Sequence, residues 1–454
     1  MPFQQERTGQ NMIVLKFGGN SLSAPDKVRR CAEIVKSAAA RKPVVVVSAH
    51  GKTTDVLIAC AKKALEGKVD TEQFSSYHYS LADSLRVERV MIEPLVFRAE
   101  AMLHGIGLVR ELTPRTLDAI LSFGERLASR IFASVLCQLE VAAVPLNSYD
   151  IGFLTDSNFG NAAPLPGIEE KISENLRAVT EVPIITGFLG KDVKGNITTI
   201  GRSGSDYTAA IIGAAIGAEE IQIWKDVDGV LTADPSVDAR ARNLPKLSFT
   251  EASELAYYGA EVLHPSTLIP AIRKNIPVRV ANTTKPNQPG TLILPFSTRT
   301  GQVAKSVVYK EDVALLNVVS QRLLSIATLL SIVLDALAKQ GIRVHMVVTS
   351  EASISIITDK DYTEDEIAPA IARISEHASV SYERSMAIIC VVGEEMEGSP
   401  EVLGKISSSI GREGVKARVV SQSASELNIA FLVRNSEIEK TVKALHSLIL
   451  GISG

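Results

Sequence analysis

The chain's 454 residues exceed one core on the usual scale of about 100 to 200 residues per domain, so two or three domains are expected. Hydrophobic residues at 46% against charged residues at 22% make an ordinary globular mixture, and a net charge of -3 supplies no broad basic field for nucleic acid. The four cysteines lack a CxxC spacing, the polar opening MPFQQERTGQN lacks the apolar core of a signal peptide, and no run reaches the roughly 18 apolar residues of a membrane span; a reduced, cytoplasmic chain without a zinc site or membrane anchor is expected.

The first element is an apolar strand, VLKFGGNS, that ends in Lys16 and runs into Gly18, Gly19 and Ser21 before a helix. Glycines let backbone N–H groups approach an anion, and a lysine at the strand end adds charge, although a strand and a tight turn explain the octet equally well. Ser23 to Asp26 reads as a helix start with an early proline, and Pro43 leads into the run Val44 to Val47. An unbroken apolar run suits a parallel strand covered on both faces. A long helical stretch is expected from about Asp55 to Arg110, then TLDAILSFGERLASRIFASVLCQLE and a strand at Val141 to Leu146. Pro183 to Phe188 is a strand, GRSGSDYTAAIIGAAIGA a glycine-rich turn feeding a helix, and IQIWKDVDG a strand and loop. This alternation predicts a three-layer, mostly parallel α/β domain over 11–298.

KPNQPGTLILPFSTRTG marks a boundary rich in turn formers. Beyond it, strand, helix, strand, strand, helix occurs twice, predicting two small ferredoxin-like α+β units over 303–382 and 383–454. The second copy runs out of chain before its last strand, so a strand from elsewhere, such as Val303 to Lys310, is expected to complete one of the sheets.

Four further segments carry chemistry. In SFGERLAS, Glu125 is placed at a helix start, where its carboxylate either reaches a substrate ammonium or forms a surface ion pair. In TTIGRSGSDYTAA, Gly201 and Gly204 permit an anion nest, Arg202 can clamp a carboxylate, and Ser205 or Asp206 opens the next helix; a well-capped helix entry is the plainer alternative. WKDVDGVLTADP offers an acidic turn for a nucleotide edge, or two connected turns. His264 in YYGAEVLHP reads as a packed or capping residue. SAHGKTT lacks the earlier glycine of a phosphate-binding Walker loop, and no protein-kinase, HExxH, serine-nucleophile or dinucleotide motif is present.

Taken in order, KFGGNS, SFGERLAS, TTIGRSGSDYTAA, WKDVDGVLTADP and YGAEVLHP resemble the motif series of the aspartate kinases in the amino-acid kinase superfamily, and the paired C-terminal units resemble their tandem ACT domains. The likeness is closest to monofunctional, lysine-regulated members, with no stretch left for a homoserine dehydrogenase module. The resemblance implies phosphorylation of the side chain of L-aspartate by ATP with Mg2+, the first step toward aspartate-derived amino acids. Lys16 and Asp206 would be catalytic; Ser48, Thr54, Glu125 and Arg202 would hold aspartate. Gly18, Gly19, Ser21, Gly204, Ser205, Lys225, Asp226, Gly229, Leu231, Asp234 and Glu261 would line the nucleotide side. No protein metal ligands are expected, the magnesium being held by phosphates and water. An amino-acid effector would meet Leu323, Leu329, Leu330, Val344, His345, Thr349, Ser350 and Glu351, and the ACT pair would form a homodimer. Asn20, Leu231, Ser236 and Glu261 depart from the family's usual Thr, Tyr, Arg and Lys, and His345 stands where lysine-sensitive members carry an acid. A different small-acid acceptor and an inactive amino-acid sensor are the alternatives.

Overall fold

The computed structural model describes residues 12–201, 203–260, 265–296, 304–320, 325–396 and 401–451. They form two compact units, between which the chain passes repeatedly. The first takes the chain up to Val230, Pro245–Ala252 and Val262–Ser297; the second takes Leu231–Leu244, Ser253–Glu261 and everything from Thr298.

The first unit opens as β1 (Ile13–Phe17), α1 (Pro25–Ser37) and β2 (Pro43–Val47). Three helices, α2 (Thr53–Leu65), α3 (Glu72–Leu85) and α4 (Glu93–Val109), replace the single long stretch expected from Asp55 to Arg110. The turns between them use left-handed backbone at Gly67 (φ 82°) and Arg86 (φ 57°). Then follow α5 (Pro114–Gln138), β3 (Ala143–Leu146), α6 (Ile168–Arg177), β4 (Val182–Thr186), a hairpin of β5 (Leu189–Lys191) and β6 (Ile197–Thr199), α7 (Gly204–Ile216) and β7 (Glu220–Lys225). After the excursion through 231–244 come β8 (Lys246–Ser248), α8 (Phe249–Tyr257), which from Ser253 onward counts with the second unit, α9 (Pro265–Lys274), β9 (Val278–Asn282) and β10 (Thr291–Leu294).

Eight strands form one sheet in the order β3-β4-β2-β1-β7-β9-β10-β8, with every neighbouring pair parallel except β9 and β10. The expected parallel α/β class is therefore observed. All five residues of β1 and of β2 are buried, as their unbroken apolar runs require. Side chains alternate along β1. Ile13, Leu15 and Phe17 join a core with Phe132 of α5, while a methyl of Val14 lies 3.7 Å from the Cβ position of Gly213 in α7. That alternation turns Lys16 toward α7. The neighbours of β1, β2 and β7, lie on opposite sides of it, so the carboxyl end of β1 borders a crevice of the kind that receives ligands in open α/β sheets.

The second unit holds β11 (Ser306–Ser320), α10 (Ile326–Lys339), β12 (Val344–Thr349), β13 (Ser353–Thr358), α11 (Glu364–Ser375), β14 (Ala378–Val392), α12 (Glu401–Arg412), β15 (Val419–Gln422), β16 (Asn428–Arg434) and α13 (Ile438–Ile449). Its six strands make a single antiparallel sheet, β12-β13-β11-β14-β16-β15. The two expected copies are thus fused through two 15-residue strands, β11 and β14, each serving both. Bulges between Lys310 and Leu315, with Asp312 and Ser385 both at φ 56°, mark where β11 and β14 pass from one copy to the other. Ser306 to Lys310 pairs with Val392 to Ile388 and supplies the strand that the second copy lacks. Val303, part of that expectation, lies outside the described residues. One core gathers Leu316, Leu329, Val333 and Ile356; another gathers Val307, Ile389, Phe431, Leu445 and, from the excursion, Ala233.

Candidate active site

Lys16, turned toward α7, meets the first turn of that helix. Its Nζ lies 2.5 Å from Asp206 Oδ1, and Lys225 Nζ at the end of β7 lies 3.7 Å from Asp206 Oδ2. Lys16 and Asp206 are each 5% exposed. Burial pushes the Asp206 carboxyl up, but Lys16 and Lys225 outweigh it and hold the group below the usual carboxylate range. Burial likewise pulls the Lys225 ammonium down, against the attraction of Asp206. The Lys16–Asp206–Lys225 cluster by itself carries one net positive charge, with Asp226 directly after β7 as a second carboxylate acting on Lys225.

Gly18 and Gly19 follow β1. A Cβ on Gly19 would lie 2.7 Å from the Ala49 carbonyl and 3.1 Å from that of Gly51, so only glycine lets this turn lie against the loop after β2. The main-chain N–H groups of Gly19, Asn20 and Ser21 have no hydrogen-bond acceptor among the described residues. They are donors available to an anion. Asn20 donates from its side chain to Asp226, which joins the turn to the loop after β7.

Glu125 is in the middle of the 25-residue α5, not at a helix start, and it is 3% exposed, which also rules out a surface ion pair. Gly124 does not break the helix; a Cβ there would sit 2.7 Å from Ala49 Cβ, so the glycine admits the β2 loop. Ala49 N–H donates to Glu125 Oε1 at 3.1 Å, and Oε2 has no hydrogen-bond partner among the described residues. Burial lifts the carboxyl from 4.5 to about 8, outweighing the Ala49 N–H and the Lys16 charge. A buried acid with one unused oxygen is suited to receive a cation. The β2 loop also carries half-buried Ser48, and Thr54 lies in the first turn of α2.

Gly201 and Ser203, flanking Arg202, are both left-handed (φ 76° and 56°), and Arg202 itself is outside the described residues. Gly204 and Ser205 open α7. Asp118 of α5 accepts from Thr199 N, Thr199 Oγ1 and Gly160 N at 2.8 to 2.9 Å, anchoring the hairpin that leads to Gly201. Sequence reading missed this aspartate, because its partner lies 81 residues away and only its burial signals it.

Lys16, Gly18, Gly19, Ser21, Ser48, Thr54, Glu125, Gly204, Ser205, Asp206, Lys225, Asp226 and Gly229 all belong to the first unit. Leu231 and Asp234 belong to the second, where Asp234 Oδ2 accepts from Tyr309 OH and its Oδ1 from Ser236. Glu261 and Leu323 lie outside the described residues. In the regulatory set, Leu329 is core, Leu330 and Val344 are half-buried, and Thr349, Ser350 and Glu351 are exposed. His345 stacks on Tyr257 at 4.3 Å, and its carbonyl accepts from that tyrosine's hydroxyl. No group of three metal-ligating side chains occurs among the described residues.

The sequence matches the amino acid kinase family over residues 11–282 and an ACT domain over 389–448. Aspartokinase 1, chloroplastic, of Arabidopsis thaliana is 38% identical over 451 residues, covering 95% of this chain and 79% of the relative. The fold matches E. coli aspartokinase III in complex with aspartate and ADP (R-state) at a TM-score of 0.79 and 29% identity, covering 96% of this chain and 99% of that one. The same enzyme in complex with lysine and aspartate (T-state) matches at 0.79 and 29%, covering 97% and 99%. With the buried lysine–aspartate–lysine cluster, the parallel sheet and the paired C-terminal copies in place, the chain belongs to the aspartokinases of the amino acid kinase family.

Proposed function

We propose that this chain transfers the γ-phosphoryl group of ATP to the side-chain carboxylate of L-aspartate, giving β-aspartyl phosphate and ADP. The observation that carries the reading is the Asp206 carboxylate shared by Lys16 and Lys225 beside a turn whose three N–H groups have no acceptor among the described residues. A carboxylate oxygen attacks the γ-phosphorus, the bond from that phosphorus to the β,γ-bridging oxygen breaks, and ADP leaves with the electron pair. The acceptor is already ionised at neutral pH, so no general base is needed. Catalysis is positioning and charge stabilisation. Lys16 bridges the β- and γ-phosphates, Asp206 orients it, and the amides of Gly19, Asn20, Ser21 and Ser205 hold phosphate oxygens, with Gly18 and Gly204 giving the turns their close approach. Lys225, Asp226 and Gly229 form the nucleotide side. Arg202 takes an aspartate carboxylate, Glu125 the α-ammonium, and Ser48 and Thr54 complete the pocket.

The donor set fits a nucleotide better than a protein-bound metal: Asp206 is committed to two lysines, so Mg2+ would be held by phosphates and water and would supply charge neutralisation. The ACT pair binds an amino-acid effector on the surface around Val344 to Glu351 and joins a second copy, with β12 as an edge strand open to pairing. Four free thiols fit the reducing cytoplasm. ADP release from MgATP with L-aspartate, combined with trapping of the acyl phosphate by hydroxylamine, tests the reaction. Strong turnover with another small acid and none with aspartate would replace the acceptor; no turnover with any would replace the enzyme by a sensor.

A further inference from the structure

The carbonyls of the turn after β1 are held by side chains while three of its main-chain N–H groups stay open among the described residues. Four successive carbonyls each accept from a side chain: Asn20 from Lys27 Nζ (3.0 Å) and Ser23 Oγ (2.8 Å), Ser21 from Cys31 Sγ (3.3 Å), Leu22 from His50 Nδ1 (2.7 Å), and Ser23 from Tyr77 OH (3.1 Å). The N–H groups of Gly19, Asn20 and Ser21 meanwhile have no acceptor among the described residues. Protein therefore fills the acceptor side of the turn and leaves its donor side open.

We propose that His50 and Tyr77 are positioning residues for phosphoryl transfer, clasping the Leu22 and Ser23 carbonyls so that the Gly19, Asn20 and Ser21 amides stay arranged for phosphate oxygens. This rests on the reading of that turn as the phosphate cradle. The two residues reach it from different elements. His50 sits on the β2 loop, whose Gly51 N–H donates to the Gly19 carbonyl at 2.9 Å, and Tyr77 sits on α3. Because a carbonyl can only accept, His50 carries its proton on Nδ1. Its ring is fully buried, and Nε2 has no partner among the described residues. A leucine would fill this space without burying an unpaired nitrogen, so stability alone does not favour histidine here. The Nδ1–H bond to the turn is what the imidazole provides. His78 is the internal comparison: equally buried, with its ring edge-on to that of His50 at 6.3 Å, it spends its Nδ1 on the Phe74 carbonyl of its own helix and makes no hydrogen bond to either loop among the described residues.

The test uses the full chain and the variants Tyr77→Phe, His50→Leu, His50→Asn and His78→Leu, measuring MgADP dissociation constants by calorimetry, steady-state kinetics and melting temperature. Tyr77→Phe and His50→Leu should each weaken MgADP binding or lower kcat by about tenfold, the worth of one well-placed hydrogen bond. His50→Asn, which keeps a donor near Nδ1, should recover most of that. His78→Leu should match the parent in both. Melting temperatures that fall while nucleotide binding and kcat stay within about twofold of the parent would reduce both residues to packing and overturn the proposal, as would a His78→Leu variant that behaves like His50→Leu. A parent chain that binds MgADP but does not turn over aspartate leaves the binding comparison decisive and overturns only the acceptor. A parent that binds no MgADP overturns the cradle itself.

Discussion

Replacing Glu125 by glutamine separates the charge of this buried carboxyl from its shape. The side chain is 3% exposed, and burial raises its pKa from 4.5 to about 8. Across that window the folded chain keeps a proton that the unfolded chain has released. Its contribution is therefore most favourable below about pH 4.5, declines as pH rises, and levels off above about 8. Each pH unit within the window costs the folded parent about 1.4 kcal/mol, so about 3 kcal/mol is lost between roughly pH 5 and 7.5. Glutamine does not titrate. Its amide nitrogen, placed where Oε2 has no partner, adds a penalty that is the same at every pH, so the informative quantity is how the gap between variant and parent changes. That gap should move by about 3 kcal/mol in the variant's favour across this range. Urea unfolding followed by fluorescence reads the first unit directly, because Trp224, the only tryptophan, stacks on Phe17 of β1. A gap constant within about 0.5 kcal/mol would show that Glu125 is ionised in the folded chain and that burial does not govern it. The same reasoning predicts that aspartate binding releases a proton near neutral pH, visible as a buffer-dependent heat.

Lys16→Ala should lower kcat by about a hundredfold or more while leaving the aspartate KM within a few-fold, since its charge matters most as the γ-phosphoryl group moves; a parent-like kcat in steady-state assays would remove it from the chemistry. Asp206→Asn takes the shared counter-charge from buried Lys16 and half-buried Lys225, and a loss of about 3 kcal/mol in unfolding free energy is expected. His50 and His78 are held neutral by burial, down to about 4 and about 3, so the unfolded chain takes up protons first and stability falls as pH drops below about 6.5. His78→Leu should blunt that acid loss in a fluorescence titration of Trp224; an unchanged acid midpoint would contradict it.

The parallel α/β class of the first unit was legible because Val44 to Val47 is apolar without alternation, a pattern that suits strands covered on both faces, whereas the strand order was not. The missing strand of the second copy was legible as an open edge, and Ser306 to Lys310 fills it. Glu125 was misplaced because a glycine inside a helical pattern looks like a break, whereas Gly124 is small to admit Ala49, a contact invisible along the chain. The breaks between α2, α3 and α4 were hidden for a similar reason, since Arg86, an ordinary helix former, adopts a left-handed conformation. The motif WKDVDGVLTADP read locally as two turns. Its second half is fixed by Ser306, Val307 and Tyr309, about 75 residues on, which no local pattern encodes.

That second half has a bearing on how such enzymes can be cut and recombined. Thr232 and Asp238 hydrogen-bond the buried imidazole of His446 on the last helix, and Ala233 sits in the apolar core of the second copy. A polypeptide terminated near residue 297 would therefore carry an orphaned stretch whose anchors had been removed, with greasy surface laid bare and a tendency to clump. Grafting the control module of one relative onto the enzyme of another succeeds only if 231–244 and 253–261 travel with it, as one matched set.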